Sequence, residues 1–134
     1  MKQNPEKKVT VLIIDDSVEL LEVFKIVFEK QGYNIIAKTS AKDIFSFVKN
    51  NTIDILLLDV FLSGINGRDI CQELKADALM DFPVVLMSAS PENLIDLNEC
   101  GADGFIEKPF DINYITEKIS NLVNRFPRQH AMSA

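Results

Sequence analysis

Apolar residues fall in short blocks along the chain, and the spacing inside the blocks is of two kinds. Residues 9–14, 34–38, 53–58, 83–87 and 104–107 are compact runs rich in Val, Ile and Leu. Runs of that length and composition, bounded by turn residues, predict buried strands. Between them apolar residues recur at three- and four-residue intervals. Leu20, Leu21, Phe24, Val27 and Phe28 form one such set, and Ile44, Phe47 and Val48 another. Ile70, Cys71 and Leu74 form a third, and Ile112, Ile115, Ile119 and Leu122 the last. This spacing places each set on one face of a helix.

Punctuation agrees with the blocks. Asp16 or Ser17 caps the first helix, Ser40 the second, and Ser90-Pro91 starts a short fourth one that ends near Cys100-Gly101. Gly32 and Asn50-Asn51 stop the first two helices. Residues 60–66 read as a loop and Gly67 opens the third helix. The final helix covers about residues 111–123. Strand and helix thus alternate about five times, which predicts an α/β chain with a parallel sheet covered on both faces. No repeat, low-complexity segment or linker interrupts the pattern. The expectation is one domain over 1–134, with its core at about 8–124 and a flexible tail at 125–134.

Composition narrows the function classes. The 134 residues are 47% hydrophobic and 25% charged, as in ordinary globular proteins. Twenty Asp and Glu against fourteen Lys and Arg give a net charge of −6, with no basic stripe to hold nucleic acid. The longest apolar runs are too short to span a bilayer, and residues 1–8 lack the apolar stretch of a signal peptide. A cytoplasmic protein is expected, and the glycosylation pattern Asn50-Asn51-Thr52 is read as chance. Cys71 and Cys100 are far apart and form no CxxC pattern, so two reduced, partly buried thiols are expected rather than a disulfide or zinc site. The only histidine, His130, lies in the tail, which removes His-based catalysis.

In an open parallel sheet, ligands bind outside the carboxyl ends of the strands. Those ends carry the informative residues. The first strand runs into Asp15-Asp16, the third into Asp59, the fourth into Ser88, and the fifth into Lys108; the second offers only Thr39. Each alone reads as a helix cap, a loop acid, a turn hydroxyl or a solvated charge. Together they describe one site. Three crowded carboxylates repel one another, and a divalent cation removes that penalty. An all-oxygen donor set suits Mg²⁺. Asp59 would keep one oxygen free as a nucleophile, already ionised at neutral pH. Mg²⁺, the Lys108 ammonium and the Ser88 hydroxyl would each hold one equatorial oxygen of a transferred phosphoryl group.

On the stretches VLIIDDS at 11–17, ILLLDVFLSGINGRD at 55–69, VVLMSAS at 84–90 and GADGFIEKPF at 101–110, the chain resembles the response-regulator receiver family. The resemblance covers about residues 8–123. It implies a doubly wound five-stranded parallel sheet flanked by five helices, the three-layer flavodoxin-like and CheY-like sandwich. It also implies a stand-alone receiver in two-component or phosphorelay signalling. Asp59 would be the phosphoacceptor, and Asp16 and Asp59 would bind Mg²⁺ directly. Asp15 would help through water, and Phe61 would lend its backbone carbonyl. Ser88 and Phe105 would be the switch pair, with Lys108 holding the phosphoryl group, a cis Lys108-Pro109 peptide, and Ala89 leaving the approach to Asp59 open. The chain would catalyse only its own phosphorylation and dephosphorylation.

The implied partners are a sensor histidine kinase or histidine phosphotransfer protein and a downstream protein target, with no nucleic acid or membrane. The donor would dock near residues 17–21 and the Pro109-Phe110 loop. A monomer or weak homodimer is expected. Two departures stand out: Ser63 replaces a common Pro, and the stretch from Ser88 to Lys108 is shorter than usual, which trims the fourth helix. Phe61 and Ser90 would flank a phosphorylated Asp59 without orienting a hydrolytic water, so a long-lived phospho-form is expected.

Three other readings compete. A phosphatase of the haloacid-dehalogenase type needs an acid two residues after its nucleophile, where this chain has Phe61. A dinucleotide-binding module needs GxGxxG after the first strand, where this chain has two acids. The alternative left standing is a degenerate receiver that docks partners without phosphorylation. The full set Asp15, Asp16, Asp59, Ser88 and Lys108 speaks against it.

Overall fold

The computed structural model describes residues 8–90 and 97–126, without the side chains of residues 97 and 98. Five strands form one sheet: β1 (Thr10–Ile14), β2 (Asn34–Lys38), β3 (Ile55–Asp59), β6 (Val84–Ser88) and β7 (Gly104–Glu107). They pair in parallel in the order β2-β1-β3-β6-β7. The chain starts near the middle, winds to one edge and then to the other, the doubly wound order anticipated from the alternation of elements. Between β3 and the third helix lies a short antiparallel ribbon of β4 (Phe61–Leu62) and β5 (Ile65–Asn66).

Every residue of β1, β3 and β6 is buried. Successive side chains of a strand point to opposite faces, and two cores follow. On one face Val11, Ile13, Ile55, Leu57, Val85 and Met87 meet α1 (Val18–Lys30) and α5 (Ile112–Arg125) through Leu21, Phe24, Phe28, Ile115, Ile119 and Leu122. Phe24 and Phe28, one helical turn apart, stack with ring centroids 4.2 Å apart, worth about 0.5–1.5 kcal/mol beyond the area they bury. On the other face Leu12, Ile14, Leu56, Leu58, Val84 and Leu86 meet α2 (Ile44–Asn50), α3 (Gly67–Ala76) and α4, described over Leu97–Cys100.

Local chemistry sets the ends of the elements. Ser17 caps α1, its hydroxyl accepting from Leu20 N–H at 3.2 Å. Asn66 caps α3 and Asp111 caps α5 in the same way, through Arg68 and Asn113. Gly32, with φ 97°, takes the left-handed turn after α1.

Three boundaries differ from the sequence reading. Ser40 does not cap α2; its hydroxyl holds a turn through Lys42 N–H at 3.0 Å. The helix begins three residues later, behind Asp43, whose φ of 62° is left-handed. The expected loop at 60–66 contains the β4–β5 ribbon, because Leu62 is buried and Gly64, at φ 72°, closes a tight turn. The helix expected to stop at 123 continues to Arg125, so Arg125 belongs to α5 and not to a tail. There the Phe126 N–H closes on the carbonyls of Leu122 and Val123, and the Lys75 ammonium sits 5.3 Å from the Phe126 ring centroid. The start of the fourth helix at Pro91 and the tail from 127 onward lie outside the described residues.

Candidate functional site

The sheet order reverses between β1 and β3, and in folds of this kind the crevice at the carboxyl end of that switch point takes the ligand. β1 delivers Asp15 and Asp16 to it, and β3 delivers Asp59. One carboxylate oxygen from each lies within 4.8 Å of the others. Asp15 and Asp59 are buried, whereas Asp16 is exposed. The third strand end contributes a cation. The backbone N–H of Lys108, just past β7, donates to the Ser88 carbonyl at 2.8 Å, which ties the end of β7 to that of β6. From there the Lys108 ammonium pairs with Asp15 Oδ2 and reaches Asp59 Oδ2 at 3.5 Å. The Lys108-Pro109 peptide is cis.

The other carboxylate oxygens of Asp15 and Asp59 are held by backbone. Asp15 Oδ1 accepts from Ser17 N–H at 2.9 Å, and Asp59 Oδ1 from Phe61 N–H at 3.3 Å. Burial pushes the Asp59 carboxyl above its ordinary value. The Lys108 charge opposes that shift and the Asp15 charge adds to it. Two unit charges 4.8 Å apart interact by about 3.5 kcal/mol at an effective dielectric of about 20. Lys108 therefore offsets a substantial like-charge penalty. Three carboxylates and one ammonium still leave the cluster two negative charges.

Ser88 is buried at the end of β6, one residue beyond the Met87 that pairs with Asp59. Its hydroxyl accepts from Ser90 N–H at 3.0 Å and donates to the Ser90 carbonyl at 3.2 Å. Phe105, on β7, is paired with Leu86 of β6 and is 44% exposed. Phe61 is more open still, at 55%. Ala89 is exposed and lines a cleft of about 400 Å³ with Leu20, Lys108, Pro109 and Phe110.

The geometry thus gathers Asp15, Asp16, Asp59 and Lys108 at one point. Ser88 stands at the neighbouring strand end, and Phe105 lies on the edge strand. A larger cleft, about 520 Å³ on α5, contains none of these groups, so size alone does not find the site. The sequence reading placed Gly67 at the start of the third helix but missed its contact with the acceptor strand. A Cβ there would collide with the Asp59 carbonyl oxygen and come within 3.0 Å of Val60 Cα. Its N–H donates to the Val60 carbonyl at 2.6 Å. The helix start is pressed directly against the strand end that carries Asp59. The signal in the sequence was a glycine at a helix start, following the cap residue Asn66.

Among known proteins, the sequence profile described as "Response regulator receiver domain" matches residues 11–120. The response regulator SaeR of Staphylococcus aureus is 33% identical over 122 residues, covering 90% of this chain and 53% of SaeR. The chain therefore spans about half the length of that relative. A putative response regulator from Chloroflexus aurantiacus superposes with a TM-score of 0.82 at 26% identity, covering 89% of this chain and all of that one. The receiver domain of Francisella response regulator 1452 shares the fold, with a TM-score of 0.80 at 24% identity over 90% of this chain and the whole of that domain. With this sheet order and this acid-lysine cluster at its switch point, the chain belongs to the response regulator receiver domain family of two-component signalling.

Proposed function

We propose that this receiver is a phosphorylation switch acting in the cytoplasm. In this reading Asp59 accepts a phosphoryl group from a sensor histidine kinase or histidine phosphotransfer protein, with Mg²⁺ required, and the modified chain docks a downstream protein. The observation that carries the reading is the convergence of Asp15, Asp16 and Asp59 with Lys108 from three different strand ends.

The donor set fits a hard divalent ion. All three side chains offer oxygen, and the cluster's two uncompensated negative charges equal the charge of one Mg²⁺. Asp16 and Asp59 would hold it directly, with the Phe61 carbonyl, and Asp15 would help through water. Bound there, the ion would neutralise the acids and one oxygen of the incoming phosphoryl group.

The chain's own residues supply the rest. A carboxylate oxygen of Asp59 forms the new bond to phosphorus. The bond from phosphorus to the donor's nitrogen breaks, and its electron pair leaves with the donor. The Lys108 ammonium, already 3.5 Å from Asp59 Oδ2, holds a second oxygen. The Ser88 hydroxyl takes the third, and to do so its O–H turns from the Ser90 carbonyl. The space Ser88 leaves is filled by Phe105. Shifting such an equilibrium from 1:99 to 99:1 requires about 5.5 kcal/mol of differential binding. Charge-assisted bonds at about 1.5–3 kcal/mol each, together with the ion, reach that range.

The test is incubation with acetyl phosphate and Mg²⁺ followed by intact-mass measurement. The wild type is expected to gain one phosphoryl mass, and neither Asp59→Asn nor the wild type in EDTA should gain any. A wild type that stays unmodified while a known receiver in the same tube is labelled would favour the docking-only alternative.

A further inference from the structure

The two cysteines, distant in sequence, meet in the fold. Cys71 is on α3 and Cys100 is the last residue of α4. The Cys71 thiol is fully buried and donates to the Cys100 carbonyl at 3.5 Å. That bond places the Cys71 sulfur directly beside the Cys100 backbone. Nothing in the phosphoryl chemistry uses either of them.

Their surroundings are not alike. Cys100 lines a polar cleft of about 280 Å³ shared with Asn66, Arg68, Asp69, Gln72 and Glu99. It is 6% exposed, whereas Cys71 is 0% exposed and stands behind it in the core. A small neutral oxidant therefore meets Cys100 first. Burial and the neighbouring thiol hold the Cys71 proton far more firmly than in water. Cys71, shut off from the cleft and held against the Cys100 carbonyl, is placed to act as the second thiol of a pair.

We propose that Cys71 and Cys100 form a reversible oxidation site in which a hydroperoxide first modifies Cys100 and Cys71 then closes a disulfide. In the first step the Cys100 sulfur attacks the terminal peroxide oxygen. The O–O bond breaks, Cys100 becomes a sulfenic acid, and hydrogen peroxide leaves one water. In the second step the Cys71 sulfur displaces hydroxide from the sulfenic sulfur; with the thiol proton this leaves as a second water. Two thiols and one peroxide give one disulfide and two waters. The bond joins α3 to the end of α4, just before the chain enters β7. A small dithiol reverses it.

The test uses hydrogen peroxide on the intact chain, with intact mass and peptide mapping. The wild type is expected to lose two hydrogens and yield a Cys71–Cys100 linked peptide, restored by dithiothreitol. Cys71→Ala is expected to stop at the sulfenic acid and react with dimedone at Cys100. Cys100→Ala is expected to resist oxidation under the same exposure. The proposal is overturned if the folded wild type yields no linked peptide under conditions that join the two cysteines in urea. It is equally overturned if Cys100→Ala takes up dimedone at Cys71 as fast as Cys71→Ala does at Cys100. Asp59→Asn run in parallel should give the same linked peptide as the wild type.

Discussion

At Asp59 the chain places a carboxyl where it is disfavoured. Burial and Asp15 raise its proton affinity more than Lys108 lowers it. Below the ordinary carboxylate value the group is neutral in both folded and unfolded chains and exerts no penalty. As pH rises through the ordinary value toward the raised one, the unfolded chain ionises first and the native state loses stability. That loss persists at neutral pH. Asp59→Asn, similar in shape and uncharged, is therefore expected to melt a few degrees higher than the wild type at pH 7 without divalent ions. About 1 kcal/mol corresponds to roughly 4 °C in a domain of this size. The gap should close below about pH 4, and Mg²⁺ should raise the wild type more than the variant. Thermal melts across pH check this, and equal midpoints at pH 7 would contradict it. Phe61 is the second residue with a consequence of its own. Its exposed ring stands two residues after the acceptor and offers no group to orient a hydrolytic water. Phe61→Asn is expected to speed loss of the phosphoryl group several-fold, measured by the decay of the phosphorylated mass; an unchanged decay would contradict that role.

At the scale of elements, position matters more than propensity. β3 brings Asp59 to the crevice, and the start of α3 is packed against the same strand end through Gly67. Gly67→Ala forces a methyl group into the Asp59 backbone, an overpacking expected to destabilise the domain by about 2 kcal/mol or more. It should also displace Asp59 enough to slow phosphorylation by acetyl phosphate. Urea unfolding and labelling rates check the two effects separately. A neutral result in both would mean that the α3 start moves freely relative to β3. The β4–β5 ribbon and the left-handed Asp43 were not legible in the sequence, and the reasons are physical. A two-residue strand carries too short a pattern to register, and the turn at Gly64 reads equally well as loop. Ser40 offers the composition of a cap, but its hydroxyl is spent on a turn that delays the helix by three residues.

At the scale of the molecule, the five-strand parallel sheet was legible because its strands are nearly continuous apolar runs and its helices carry a clear apolar face. The acids and Lys108 were legible because strand ends in such a sheet share one edge, so order along the chain becomes proximity in space. What the sequence withheld is what depends on packing between distant elements. Examples are the Cys71–Cys100 contact, the Lys75–Asp103 pair at 2.8 Å, and the choice of Lys108 to lean on Asp15 rather than Asp59. A lysine shared between two carboxylates is a site balanced for an extra cation and an extra anionic group. The most direct measurement is to phosphorylate the chain with acetyl phosphate and Mg²⁺, reduce the acyl phosphate with borohydride, and map the peptides by mass. Homoserine is expected at position 59 and at no other acid. Homoserine at Asp15, Asp16 or elsewhere, with Asp59 intact, would contradict it.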